Sequence, residues 1–122
     1  MEPISRFKVI IAGSRSYDKG ICYIHEILEE LCIPVNEVVC GMAIGADLAG
    51  KAWAEDRGIP IKEFPANWSK YGKRAGILRN IEMGDYADEL VALWDGKSRG
   101  TKHMIDYMTK LGKPTHVHYF AV

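Results

Sequence analysis

The stretch FKVIIAGSR, residues 7–15, decides the fold of this chain. Its first six residues are apolar apart from one lysine, and a short continuous run of this kind is typical of a strand buried on both faces. Gly13 ends the run, and apolar residues at helical spacing follow from residue 21 to residue 31. A buried strand that leads into a helix is the first unit of a parallel α/β sheet.

The same alternation continues to the end of the chain. Strands are predicted at residues 7–12, 37–40, 60–64, 89–94 and 115–120, and helices at residues 21–31, 48–57 and 73–83, with a last helix between the loop 95–100 and Gly112. The third strand is short and is expected nearer an edge, residues 65–71 are predicted as a loop, and Ile77 is expected to face inward from its helix. The pattern predicts an α/β protein with a single Rossmann-like three-layer domain over residues 1–122 and a mostly parallel five-stranded sheet.

Composition excludes several classes of protein. The 122 residues are 48% hydrophobic, and 16 basic residues balance 16 acidic ones, which argues against binding to a long nucleic acid. Cys22, Cys32 and Cys40 show no C-x-x-C spacing, so we expect neither disulfides nor a metal, and no cofactor. No apolar run is long enough for a membrane span or a signal peptide, so we expect a cytoplasmic protein without a membrane partner.

Four loops are candidates for the chemistry. In a doubly wound sheet, ligands bind outside the carboxyl ends of the strands, near the point where the strand order reverses. The predicted loops at that edge begin at Gly13, Gly41, Pro65 and Asp95. Three of them contain glycine beside a helix start, where backbone N–H groups and the helix dipole favour a phosphate.

The first two loops carry the clearest polar groups. Gly13 and Ser14 are followed by Arg15, which is well placed for bidentate contact with a phosphate if it is not simply solvated. The segment GMAIGAD, residues 41–47, reads equally well as a phosphate loop or as a tight turn with close helix packing. Asp47 is expected to cap a helix or to accept a hydrogen bond from a ribose hydroxyl or an amino group.

The other two loops are basic. Residues 64–81 contain no acidic residue, and Trp68 and Tyr71 lie there among lysines and arginines. These rings could stack on a base, or they could be core aromatics beside a solvated basic face. In the fourth loop, Gly100 and Thr101 could form a phosphate nest. Neither Ser14 nor Cys40 has a histidine nearby in sequence that would make it a nucleophile.

Four motifs together resemble a known family. GSRSYD, GMAIGADLAGKAWAEDRGIP, FPANWSKYGKRAGILRN and ALWDGKSRGT, in this order and at these separations, resemble the YspA-type, cpYpsA-related branch of the SLOG superfamily. Relatives of that branch include the LOG phosphoribohydrolases and the Rossmann domain of the DNA-processing protein DprA. The resemblance extends from about Lys8 to Pro114 and implies a Rossmann-like fold, a ligand derived from a nucleotide, such as ADP-ribose or an NAD-related molecule, and a homo-oligomer.

The loops and the resemblance together define the expected ligand-binding residues. They are Gly13, Ser14, Arg15, Gly41, Met42, Ala43, Gly45, Ala46, Asp47, Trp68, Tyr71, Arg79, Asn80, Trp94, Asp95, Gly96, Ser98, Gly100 and Thr101.

Departures from the family pattern bear on activity. Met42 and Ile44 replace a glycine and an arginine of the family's phosphate loop, and Met104 stands where the LOG enzymes carry their catalytic glutamate. A thioether cannot act as an acid or a base. The first hypothesis is therefore a binding protein that senses or sequesters a nucleotide-derived signal, as a phage protein directed against host immune signalling would. The alternatives are a nucleotide N-glycosidase that uses Asp47 or Asp95, and DprA-like binding of single-stranded DNA.

Overall fold

A computed structural model of the protein describes residues 7–120. The strands are β1 (Lys8–Gly13), β2 (Glu37–Cys40), β3 (Ile61–Glu63), β4 (Glu89–Trp94) and β5 (Thr115–Tyr119). The helices are α1 (Gly20–Leu31), α2 (Ala46–Arg57), α3 (Trp68–Tyr71), α4 (Ala75–Tyr86) and α5 (Arg99–Lys110), and a 3₁₀ turn (Gly72–Arg74) joins α3 to α4.

All five strands are parallel and lie in the order β3-β2-β1-β4-β5. The chain builds outward from β1 to β3 and then returns to the other side of β1 with β4. The strand order therefore reverses between β1 and β4, where Gly13 pairs with Leu93. This is the position at which ligands bind in doubly wound folds.

Alternate side chains of β1 enter two separate cores. Val9 and Ile11 pack in the core that includes Ile24 of α1 and Trp53 of α2. Ile10 and Ala12 point the other way, into a core formed with Met83, Met104 and Met108 of α4 and α5. Because successive residues of a strand face opposite sides, one apolar run fills both layers, and the three-layer prediction is confirmed.

The predicted strands are all present, and β2 and β4 have the predicted limits. β3 is an edge strand, as its short alternating sequence indicates. Two details were predicted wrongly. The stretch 65–71 contains a short helix, because the Asn67 side chain accepts the Lys70 N–H at 3.1 Å and caps it. Ile77 points away from the core and is 49% exposed, while α4 buries Ala75, Asn80 and Met83 instead.

None of the helices within residues 7–120 combines the length and the apolar character needed to cross a membrane.

Candidate functional site

A cleft of about 700 Å³ lies at the carboxyl edge of the sheet, where the strand order reverses. All four predicted loops contribute to it, together with the first half of α4. The expected ligand-binding residues that line it are Gly13, Arg15, Gly41, Met42, Ala43, Asp47, Trp68, Arg79, Asn80, Asp95, Ser98, Gly100 and Thr101.

The remaining residues of the expected set lie outside the lining. They are Ser14, Gly45, Ala46, Tyr71, Trp94 and Gly96. Some of them support the loops: a Cβ on Gly45 would lie 2.4 Å from the Ser14 carbonyl oxygen, and Trp94 Nε1 donates to the Ser98 carbonyl at 3.0 Å. Tyr71 is exposed, with the Lys70 ammonium over its ring.

Several lining residues were not predicted from the sequence. They are Ala12, Ser16, Pro65, Ala66, Lys73, Gly76, Ile77, Met83 and Met104. Pro65 to Ile77 fall within the acid-free segment, so its unusual composition was a usable signal for this wall of the cleft. Met83 resembles any other core residue in sequence, whereas the position of Met104 was marked by the family resemblance, which aligns it with the catalytic glutamate of the LOG enzymes. The basic residues in and beside the fourth loop do not line the cleft; they are Lys97, Arg99 and Lys102.

The start of α2 carries a buried acidic residue, Asp47. Gly45 is the N-cap, so Asp47 does not cap the helix but lies in its first turn, with its side chain directed back toward the loop. Its Oδ2 accepts the Ala43 N–H at 3.3 Å, and the residue is only 5% exposed. Burial raises the pKa of Asp47 to about 6, and the Arg79 guanidinium and the N–H groups of Ala43 and Gly13 limit the rise.

Gly41 allows Arg79 and Asp47 to approach each other. A Cβ at Gly41 would lie 2.7 Å from Asp47 Oδ2 and 2.8 Å from Arg79 Nη1, closer than real side chains come. Arg79 Nη1 also donates to the Gly41 carbonyl. The absence of a side chain at Gly41 therefore brings an arginine from α4 to a loop that follows β2.

The start of α5 is built differently. The buried Ser14 hydroxyl accepts the Asp95 N–H at 3.0 Å and joins the ends of β1 and β4. Asp95 Oδ1 accepts the N–H groups of Lys97 at 2.8 Å and Ser98 at 2.9 Å, and these bonds lower the pKa of Asp95. Asp95 thus closes the turn before the helix.

The first turn of α5 has no acidic residue, and Ser98, its N-cap, makes no side-chain cap hydrogen bond. The first N–H groups of a helix have no acceptor within the helix, and they carry the positive end of its dipole. Gly100 and Thr101 lie in this first turn, and both residues line the cleft. This end of the cleft is therefore suited to an anion.

One wall of the cleft is apolar. Trp68 is 53% exposed, and its ring lies 3.4 Å from the position that a Cβ on Gly76 would take. Ile77, Pro65 and Ala66 extend this wall, with Lys73 among them. An exposed indole beside polar groups is a surface on which a nucleobase can stack.

The groups with catalytic potential are few. Cys40 is buried, and burial raises its pKa to about 11, so the thiol is a poor nucleophile at neutral pH. Asp95 is ionised and occupied by its turn. Asp47 is the carboxyl whose pKa lies nearest neutrality, and Met104 contributes a thioether to the lining. The cleft thus offers one buried acid and no histidine lining residue.

Comparison with known proteins identifies the family of this chain. Residues 7–71 match the model of the YspA, cpYpsA-related SLOG family. The chain belongs to this family. A relative that matches over most of its length is the "Gene 61 protein" of Mycobacterium phage D29. It is 36% identical over 115 residues, which cover 88% of this chain and 92% of the relative. No solved structure matches the chain.

Membership of the SLOG family confirms the resemblance drawn from the four motifs. The segment that matches the family model ends at Tyr71, so it contains the first three loops of the cleft and excludes Arg79, Asn80 and the start of α5. Those later residues are placed at the site by the fold.

Proposed function

We propose that this SLOG protein binds a nucleotide-derived small molecule, of the ADP-ribose or NAD type, in the cleft and acts as a sensor of that molecule or sequesters it. One observation carries the proposal: a single cleft joins an open helix N-terminus at α5 to an exposed indole at Trp68. Phosphate and base are the two parts of a nucleotide that these features recognise.

The phosphate is assigned to α5. Asp47 already supplies a negative charge at the start of α2, and a phosphate there would meet a buried carboxylate. The first turn of α5 contains no acidic residue, the nearby Asp95 carboxylate is engaged by the N–H groups of Lys97 and Ser98, and Arg79 lines the same cleft. Charge-assisted hydrogen bonds from the N–H groups of that turn and from Arg79 are the strongest contacts available to the ligand.

The base and the ribose are assigned by chemistry and position. The base stacks on Trp68, and Ile77 and Pro65 exclude water from its edge. Asp47 can accept a hydrogen bond from a ribose hydroxyl, since an ionised carboxylate has acceptor capacity beyond its bond from the Ala43 N–H.

Binding without turnover is the function that we favour, because the cleft lacks an activated nucleophile. A nucleotide N-glycosidase is the second candidate, and one observation favours it. Burial raises the pKa of Asp47 to about 6, which is within the range useful for proton transfer at neutral pH.

The test is calorimetric titration of the protein with ADP-ribose, NAD, AMP and adenosine, followed by heat release and mass spectrometry of the bound molecule. We expect the phosphate-bearing compounds to bind more tightly than adenosine and to be recovered intact. Recovery of free base or ribose products would favour the glycosidase, and failure of all four compounds to bind would exclude the proposed ligand class.

A matched pair of variants tests the base position. Trp68→Ala should weaken ADP-ribose binding about tenfold, since stacking of a base on an aromatic ring contributes about 1–3 kcal/mol. Tyr119→Ala is the control, because Tyr119 is also an exposed aromatic residue, at 65% against 53% for Trp68, but lies on the edge strand β5 outside the cleft lining. Equal effects of the two substitutions would contradict stacking on Trp68.

A further inference from the structure

Asn80 is buried in α4, yet it lines the cleft and was expected to contact the ligand. We propose instead that Asn80 is a positioning residue, which fixes Arg79 and the first turn of α5 relative to each other. This inference rests on the proposed function, because those two elements are the anion-binding parts of the site.

The hydrogen bonds of the Asn80 amide are directed at protein groups. Its Oδ1 accepts the Arg79 Nε–H at 3.0 Å, and its Nδ2 donates to the Gly100 carbonyl at 3.1 Å. Nδ2 also lies 3.2 Å from Nδ1 of His103, which can accept the second N–H. With the residue 6% exposed and its amide engaged on both sides, little capacity is left for a ligand.

The two partners dictate that this residue is an asparagine. A guanidinium only donates and a carbonyl only accepts, so the amide oxygen must face Arg79 and the amide nitrogen must face Gly100. Aspartate keeps the acceptor toward Arg79 but presents an oxygen to the Gly100 carbonyl. Leucine has a similar shape and makes neither bond.

Asn80 belongs to a chain of contacts that spans the cleft. Arg79 Nη1 donates to the Gly41 carbonyl in the loop after β2, and Asn80 carries the connection to Gly100 in α5. Arg79 is thus held at Nε and Nη1, and within residues 7–120 no hydrogen bond engages its Nη2 group, which we assign to the phosphate. An arginine ordered before binding loses less conformational entropy when the ligand arrives.

The first experiment is titration with ADP-ribose. Asn80→Leu should weaken binding at least tenfold, and Asn80→Asp should weaken it at least as much, because its carboxylate keeps the Arg79 contact but opposes the Gly100 carbonyl and adds negative charge where the phosphate is proposed to bind. If Asn80 acts through Arg79, Arg79→Lys combined with Asn80→Leu should lose little more than the worse single variant. Asn36→Asp is the charge-matched control, since Asn36 is exposed before β2 and outside the cleft lining.

The second experiment uses NMR of the ligand-free protein. The Lys102 N–H donates to the Ser98 carbonyl at 3.1 Å and reports on the first turn of α5. Asn80→Asp should speed hydrogen exchange of this amide severalfold while leaving the Arg79 Nε–H signal in place. Asn80→Leu should change both signals, and Asn36→Asp should change neither. If the leucine variant does not fold, the aspartate variant carries the test.

Three results would overturn the inference: binding of ADP-ribose by both Asn80 variants within twofold of wild type, losses that multiply in the double variant, or unchanged exchange at Lys102. Wild-type protein that binds no nucleotide would instead refute the proposed function. The exchange experiment would still decide whether Asn80 orders the two elements.

Discussion

The two helices that begin at the cleft, α2 and α5, invite comparison. Each has twelve residues and follows an inner strand of the sheet, β2 or β4. The first turn of α2 contains the buried Asp47, whereas the first turn of α5 contains no acid, and Asp95 is engaged in the turn before it. The same strand-loop-helix unit is therefore closed to an anion in one case and open in the other.

The largest expected effect comes from giving α5 the acidic first turn that α2 has. Gly100→Asp places a carboxylate in the first turn of α5, where an added Cβ meets no atom within 4 Å. Loss of two charge-assisted bonds, about 4 kcal/mol, predicts a decrease in ADP-ribose affinity on the order of 1,000-fold. Thermal stability should rise slightly, because the helix dipole favours an acid at this end. Gly100→Ala is the control, and similar affinities for the two variants, by calorimetry, would place the phosphate elsewhere.

A substitution of Asp47, at the start of α2, tests the burial of this carboxyl through the pH dependence of stability. The pKa of Asp47 is raised by burial from its ordinary 3.8 to about 6, so the folded state favours the protonated form. The stability that Asp47 contributes is complete below about pH 4 and is lost as the pH rises through 6, by up to about 3 kcal/mol.

Urea denaturation between pH 4 and pH 7 measures this loss. The difference in unfolding free energy between wild type and Asp47→Asn should change with pH in that direction, because other groups contribute equally to both proteins. A difference that does not vary with pH would mean that Asp47 is not buried as described.

The hydrogen bond from the Asp95 N–H to the Ser14 hydroxyl joins the ends of β1 and β4 next to the start of α5. Ser14→Ala removes the buried acceptor of the Asp95 N–H and should reduce the unfolding free energy by about 1–2 kcal/mol. Ser16→Ala in the same loop should cost less than about 0.5 kcal/mol, because Ser16 is exposed and its contact with Asp95 is long, at 3.4 Å. Equal decreases in unfolding free energy for the two variants, measured by denaturant melts, would show that the Ser14 hydrogen bond does not stabilise the contact between β1 and β4.

The smallest expected effect concerns backbone strain at Met42, in the loop before α2. Met42 has φ 67, a left-handed conformation that glycine adopts freely, whereas Gly96 supplies a similar φ of 83 in the loop before α5. Met42→Gly should therefore raise the unfolding free energy by about 0.5 kcal/mol, after the entropy cost of glycine is subtracted. Cys32→Gly, at φ 54 after α1, is a matched substitution far from the cleft. Destabilisation by Met42→Gly alone would show that the Met42 side chain holds its loop.

The fold was accessible from sequence because buried parallel strands are continuous apolar runs, as residues 7–12 and 89–94 show. The strand-order rule predicted the edge of the sheet at which the cleft lies. The short helix α3 was missed because four residues give no periodicity, and Ile77 was assigned to the core because periodicity cannot distinguish an apolar side chain that lines a cleft. The contact of Arg79 with Gly41 joins residues 38 apart and has no local signal.

Pairing of β1 with β4 also has a consequence for how the protein is made. The Lys8 N–H donates to the Asp88 carboxylate, 80 residues away, so pairing β1 with β4 carries the entropy cost of closing a long loop. Contacts of such long range slow folding. During synthesis, the segment that contains Gly41 and Trp68 is made before β4 and α5, so the two parts of the proposed ligand site are assembled at different times. On the proposed function, the anion-binding end of the cleft is complete only when β4 has paired with β1 and α5 has followed it.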